Sequence, residues 1–528
     1  MEGGLFGGVC MLTRVGVSSG LAALAIFLAT NSVRAEVAPR APEVTTSSGV
    51  LRGVTADGVT IFRGIPFAAS TAGEGRWRPP APAHPWDGVR DALRHGPACP
   101  QSVARGNRVA AFGMDEDCLS LAVYSPQLDA QTKAPVMVWI HGGNARFGSG
   151  ALYDGSALAR RGVVVVTINY RLDRLGLFAH PSLTAAQSDE PLANYGLMDM
   201  MAALDWVQAN IATFGGDPDN VTIFGQSSGS VAVTALMASP LSAGKFHKAI
   251  AQSGNVSIDY PRYLSRSTPA AMSLEADGGA MARAQGLPAD KEADGLRALP
   301  WQDVLAYTET EMANAMIPVI DGRVLPDNPG RIFREGRNQP AALMIGSTSW
   351  EEGVAARFPL PLDSVLHGQD PSEARAVYGS LDDRELAQKW FSDTAFHAPA
   401  QFLAAETARQ GRAAYVYRYA FLSSERRGRQ PGANHGDEVP LVFGSQFSKG
   451  QGDADDIAIS NLLGEYWTNF AKTGDPNRNG STDWPAYRLD DESVLIIDQT
   501  RSVQSYRSDP QIRYHLERYE AIVTTNDD

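Results

Sequence analysis

Near-continuous apolar runs punctuate the chain at 136–140, 163–168, 221–224, 341–345, 414–417 and 494–497. A strand covered on both faces needs no polar alternation, so runs of this kind predict the buried strands of a sheet with layers on either side. Between them the period lengthens. Leu197, Met201, Leu204, Val207 and Ile211 return at three- and four-residue steps, the spacing of a helix with one apolar face. Strands alternating with helices predict an α/β fold with a central, mostly parallel sheet flanked by helices. Two stretches, 257–337 and 359–412, are more polar and helix-rich. They are expected to be insertions beyond the sheet ends that roof a site, and not separate domains.

The chain has 528 residues, of which 44% are hydrophobic, enough for a large core. α/β enzymes often run long as one unit, so residues 36–528 are expected to form a single domain. A net charge of -13 argues against nucleic acid or an anionic membrane surface as partner. At the N-terminus Arg14 precedes a mostly apolar run at 15–29, and Val33 and Ala35 stand at minus three and minus one of a cleavage point. Residues 1–35 therefore read as an export signal that is removed, and the run is short for a membrane span. The mature protein is expected to be secreted or periplasmic, soluble and without a membrane span. Cys10 leaves with the signal, and Cys99 and Cys118 remain, 19 positions apart. An even pair in an exported protein reads as one disulfide, two separate buried thiols being the alternative. His95 is the only imidazole close to them in sequence, so no metal is expected.

The strongest chemical signal is Gly225-Gln226-Ser227-Ser228-Gly229, which follows the apolar run at 221–224 and leads into small residues at 230–237. A strand that ends in Gly-x-Ser-x-Gly and turns at once into a helix lifts its serine hydroxyl above the sheet edge. The hydroxyl needs a base, and the base needs a carboxylate to orient it. On this type of fold the order along the chain is Ser, then acid, then His. His247, His367, His397, His435 and His515 follow Ser227, and His435 sits in a glycine-flanked loop after the run at 414–417. That position, past the carboxyl end of a strand, favours His435. The acid is expected after the run at 341–345, where Glu351 and Glu352 both qualify. Donors for a developing oxyanion are expected from His141-Gly142-Gly143-Asn144 after the run at 136–140, through the N–H groups of Gly143 and Asn144, with Ser228 N–H completing the set.

At this point the chain resembles the type-B carboxylesterases, the family that includes the cholinesterases. The resemblance covers most of the mature sequence. It rests on Phe62-Arg63-Gly64-Ile65-Pro66-Phe67-Ala68, Arg76-Trp77-Arg78-Pro79-Pro80 and Glu116-Asp117-Cys118-Leu119. Similar blocks occur at Asn169-Tyr170-Arg171, Asn194-Tyr195-Gly196-Leu197, Phe214-Gly215-Gly216-Asp217-Pro218 and Trp467-Thr468-Asn469-Phe470-Ala471. The resemblance implies an α/β-hydrolase fold, a Cys99–Cys118 bridge, Ser227 as nucleophile and His435 as base. It selects Glu352 as the acid, because the family acid directly precedes a glycine, and it gives Ser253 a supporting role beside the triad. It implies a small-molecule ester as substrate, hydrolysed through an acyl-enzyme, with no cofactor.

Three departures from the family pattern bear on selectivity. Gln226 replaces the usual glutamate before the nucleophile, which removes a negative charge and argues against a cation-selective gorge. Asn144 and Ala145 replace glycine and phenylalanine, and Asn tolerates left-handed backbone geometry, so the donor can survive. Arg146 could meet a distal carboxylate on a substrate or simply be solvated. Amide or carbamate hydrolysis, acyl transfer to alcohols, and a non-catalytic binding module on the same fold are the competing readings.

Overall fold

The computed structural model describes residues 41–525 apart from 103–107, 188, 191, 269–270, 289–291, 311–317, 357–359, 446–450 and 478–482. The expected export signal lies outside the described residues. Among the described residues fourteen strands follow in chain order: β1 Glu43–Thr46, β2 Gly49–Arg52, β3 Val54–Ala56, β4 Val59–Pro66, β5 Val89–Asp91, β6 Ser120–Ser125 and β7 Ala134–Ile140. The rest are β8 Val164–Ile168, β9 Gly216–Gln226, β10 Lys248–Gln252, β11 Ala342–Thr348, β12 Ala414–Tyr419, β13 Ser493–Ile497 and β14 Ser502–Ser505.

Eleven of them make one sheet in the order β14-β13-β12-β11-β10-β9-β7-β8-β6-β4-β3, and β1, β2 and β5 form a small separate one. From β8 to β13 every neighbouring pair is parallel, while β3, β4, β6 and β14 join antiparallel at the edges. Each apolar run in the sequence lies in or beside a central strand. β8 (VVVTI) is buried at every position, as β-branched residues sandwiched between layers should be. Strand order reverses at β7, whose neighbours are β8 on one side and β9 on the other. Such a switch point opens a crevice beyond the carboxyl ends of the strands.

The helix Tyr195–Asn210 departs from the one-faced pattern expected of it: polar Asp199 and Asn210 are buried along with its apolar residues. The apolar face is legible in sequence, but burial of the opposite side depends on what packs there. Asp199 is tolerated because Arg171 meets both its oxygens, at 2.7 and 2.8 Å, and a buried charge needs such a partner. The two polar stretches are rich in helix, as expected. The helix Ala398–Arg409, however, packs on β11 and β12 as a covering layer of the sheet and not as roof. Cys99 and Cys118 are joined, with their Cα atoms 5.0 Å apart. Among the described residues no helix is long and apolar enough to cross a membrane.

Candidate active site

The chain turns from β9 into the helix Ser228–Ala238 within one residue. Ser227 takes φ 58° and ψ −127°, a conformation that L-residues avoid. Two glycines make the turn possible. A Cβ on Gly229 would lie 2.1 Å from the Ile140 carbonyl oxygen, and one on Gly225 2.6 Å from Gly229 itself. Ser227 N–H donates to the Gln252 carbonyl at 2.9 Å, anchoring the bend to β10. The Ser227 side chain stands at the helix N-cap without capping it, so its hydroxyl is not spent on the backbone. β10 ends in a second kink of the same kind. Ser253 has φ 52° and donates its N–H to the Gly346 carbonyl at 2.8 Å.

His435 and its carboxylate come together across 84 positions of sequence. His435 Nδ1 lies 2.6 Å from Glu351 Oε2, and Glu351 Oε1 accepts from Thr348 N–H at 2.8 Å. This corrects the expectation for Glu352. The acid that meets the imidazole is Glu351, fully buried, whereas Glu352 is 20% exposed and lies 3.5 Å from Lys389 Nζ. The cause is the backbone. Trp350 N–H donates to the Ala433 carbonyl at 2.9 Å, which lays the segment after β11 alongside the histidine loop. The helix Glu352–Ala355 begins one residue later and turns Glu352 away. Gly353 is needed because a Cβ there would sit 2.4 Å from Asn434 Oδ1, so the glycine marks a close approach of loops and not its immediate neighbour as the acid. Burial raises the Glu351 pKa, but the His435 imidazole, the Thr348 N–H and the Ser253 hydroxyl outweigh it and hold the group below the ordinary range. Ser253 Oγ is buried and makes no hydrogen bond of good geometry, so its effect on Glu351 is one of proximity.

The loop after β7 folds back over the Ser227 turn. Asn144 and Ala145 adopt φ 58° and 52°, and Gly143 has φ 118°. A Cβ on Gly143 would lie 1.8 Å from the Phe147 carbonyl oxygen, and one on Gly142 2.5 Å from that of Gln226. Ala145 N–H donates to Ser228 Oγ at 2.8 Å, which ties the loop to the helix N-terminus. The N–H groups of Gly143, Asn144 and Ser228 are paired with no acceptor among the described residues. Free donors beside a helix N-terminus are a ready site for an anionic oxygen. The Gln226 side chain packs against both Gly142 and Gly436, joining this loop to the one that carries His435. Arg146 is neither solvated nor free for a substrate carboxylate. Its Nε lies 3.0 Å from Asp173 Oδ2, and both side chains are largely buried.

Glu438 lies in no sequence motif. It is fully buried behind this pair, with Oε1 accepting from Gln252 Nε2 at 3.1 Å while Trp467 Nε1 donates to Gln252 Oε1 at 3.0 Å. Burial, reinforced by the Glu351 charge, pushes its pKa up to about 7 from 4.5. A raised carboxylate pKa means the folded state holds the proton more tightly. Its stabilising contribution is full below the unfolded value and is lost as pH rises through the folded one. We predict that Glu438→Gln gains stability over the parent as pH rises from 5 to 8, by on the order of 3 kcal/mol at the upper end. Paired melting curves at several pH values test this, and a difference independent of pH would refute it.

A sequence model of the carboxylesterase family matches residues 40–378 and 379–515. The chain belongs to the carboxylesterase family. A fumonisin B1 esterase of Sphingopyxis macrogoltabida is 35% identical over 520 residues, covering 93% of this chain and 94% of the relative. A para-nitrobenzyl esterase of Bacillus subtilis (strain 168) is 34% identical, covering 88% and 96%. A solved PNB esterase structure superposes with a TM-score of 0.78 at 30% identity, covering 92% of this chain and 99% of the other. The chain is accordingly a carboxylic ester hydrolase with the α/β-hydrolase fold.

Beyond Glu438, Phe396 carries no signal in sequence, and His397 stands there only as one of the histidines that could serve as base to this carboxylesterase site. Phe396 places its ring 5.2 Å from the His435 ring, and His397 lies against Ser347 of β11. Both belong to a helical stretch whose apolar and polar residues carry no motif, and only the folded chain brings them to the site.

Proposed function

We propose that the protein is an exported serine carboxylesterase that works through Ser227, His435 and Glu351. Ser227 Oγ attacks the ester carbonyl carbon while its proton passes to His435 Nε2. The carbonyl oxygen becomes an oxyanion held by the Gly143, Asn144 and Ser228 N–H groups. As the tetrahedral species collapses, the C–O bond to the alcohol breaks and His435 returns the proton to the departing oxygen. Water then attacks the acyl-enzyme by the same route, which releases the acid and restores Ser227. Glu351 accepts a hydrogen bond from His435 Nδ1–H, without taking the proton, and so fixes the tautomer and stabilises the imidazolium.

The observation that carries this reading is the 2.6 Å His435–Glu351 contact beside strands that also present the strained Ser227 turn. The unpaired N–H groups nearby support it further, since electrostatic stabilisation of the oxyanion is a large term in acyl transfer. Gln226 and the neutralised Arg146 leave no free charge among these residues to demand a cationic or anionic substrate, which supports neutral esters. Export rests on the signal-like residues 1–35 and the disulfide.

The test is an organophosphonate label on the purified mature protein, followed by peptide mass mapping, beside turnover of p-nitrophenyl acetate. One label per chain on Ser227, with loss of turnover in step with labelling, is the expected result. A label on another serine would overturn the assignment.

A further inference from the structure

Between the helices Asp383–Ser392 and Ala398–Arg409 the chain makes one π turn, Asp393–His397, in which Ala398 N–H bonds to the carbonyl of Asp393, five residues back. The sequence dictates the widening. Pro399 has no N–H to give, and in α register its ring would collide with the carbonyl four residues earlier. Widened turns of this kind are short, cost some stability and gather at functional sites. Here the turn directs two consecutive side chains inward, and Phe396 and His397 are both buried.

His397 bridges two elements. Its Nδ1 lies 2.7 Å from Ser347 Oγ on β11, and its Nε2 lies 3.2 Å from Ser392 Oγ at the end of the preceding helix. A neutral imidazole suits this place, since one ring nitrogen can donate and the other accept. Burial holds it in that form, aided by the Arg418 and Lys389 charges. Ser347 belongs to the strand that leads to Glu351, so the bridge fastens the turn to the element that supplies the carboxylate. One residue earlier, the Phe396 ring lies 5.2 Å from the His435 ring, and its carbonyl accepts from Asn255 Nδ2 at 3.4 Å.

We infer that His397 is a positioning residue, which through Ser347 and Ser392 locks the π turn in the register that sets Phe396 against His435, and that Phe396 is a specificity-determining wall of the ester pocket. The inference rests on the reading of His435 as the general base. A phenyl ring on this side of the imidazole limits the room for the acyl or alcohol chain next to the proton that moves. Removing it favours longer esters. Loosening the His397 bridge lets the ring drift and does the same with the ring still present. It also lowers kcat, because small misplacements at a reacting centre are costly.

The experiment uses the purified mature protein and Phe396→Ala, Ser347→Ala, His397→Phe and His397→Asn, each assayed on p-nitrophenyl acetate and octanoate. Phe396→Ala is expected to raise the octanoate-to-acetate ratio of kcat/KM about tenfold. His397→Phe keeps a ring but loses both hydrogen bonds. It is expected to shift the ratio the same way and to lower kcat on acetate about tenfold with little change in KM. His397→Asn, which can still reach Ser347, should recover most of the parent ratio. An unchanged ratio in Phe396→Ala, or a parent-like ratio and kcat in His397→Phe, overturns the inference. Should His397→Phe fail to fold, Ser347→Ala removes one bond with little change in volume and must move the ratio in the same direction. If the parent turns over no ester, the esterase reading falls by itself. Amide exchange at 393–398 then decides the positioning role, faster exchange in Ser347→Ala supporting it and unchanged exchange overturning it.

Discussion

Ser227→Ala is expected to lower kcat on p-nitrophenyl acetate by about a million-fold, close to the loss from removing all three members of such a site. Without Oγ no acyl-enzyme can form, and what persists is activation of the carbonyl by the Gly143, Asn144 and Ser228 N–H groups. That remnant is on the order of a thousandfold over water. The fold should be untouched. Alanine at φ 58° and ψ −127° suffers the strain serine already bears, and the Ser227 side chain makes no capping bond that alanine would lose. A companion substitution separates strain from chemistry. Ser227→Gly is equally inactive but frees the backbone from its Cβ, so it should melt above Ser227→Ala. Stopped assays for activity and calorimetry for stability check both. Substantial turnover by purified Ser227→Ala would mean that another group is the nucleophile.

Much of this architecture is written locally. The central strands announce themselves because burial on both faces removes polar alternation, and the sharp turn at Ser227 because only glycine fits at 225 and 229. The Gly143 loop is legible for the same steric reason: the chain comes so near itself that a side chain is excluded. These signals need no knowledge of distant partners.

What escaped reading depends on contacts far apart in sequence. Gly353 looks like a marker for the residue before it, yet it is glycine because Asn434 presses on it. Which of two adjacent glutamates points inward is then settled by the Trp350–Ala433 hydrogen bond, 83 positions apart, and no local count contains that pairing. Glu438 reads as one more surface carboxylate, and its burial against Gln252 and Trp467 exists only after the sheet has closed. Arg146 shows the same limit for charge. Its partner Asp173 sits 27 positions away in a left-handed turn, so an apparently free guanidinium is already paired.

That distinction between neighbouring glutamates carries the second large effect. Glu351→Gln is expected to cut kcat by about ten-thousandfold, whereas Glu352→Gln should stay within about threefold of the parent. In the parent, Glu351 Oε2 can only accept, so the proton of neutral His435 sits on Nδ1 and Nε2 is the basic nitrogen that takes the serine proton. A glutamine at 351 can instead turn its NH2 toward Nδ1, which moves the imidazole proton to Nε2 and leaves no base facing Ser227. It also withdraws the negative charge that stabilises the imidazolium as it forms. Glu352, partly exposed and 3.5 Å from Lys389, does neither. Stability should follow the same division. The lowered Glu351 pKa gives a contribution that is present above the ordinary glutamate range and is lost on acidification through the folded value. In Glu351→Gln that acid-dependent loss disappears, while in Glu352→Gln it persists. Kinetics at neutral pH, with melting curves carried from pH 7 to well below the ordinary glutamate range, read both effects. A collapse of activity in Glu352→Gln with Glu351→Gln unharmed would mean that the Nδ1 contact at 2.6 Å is not the one that works.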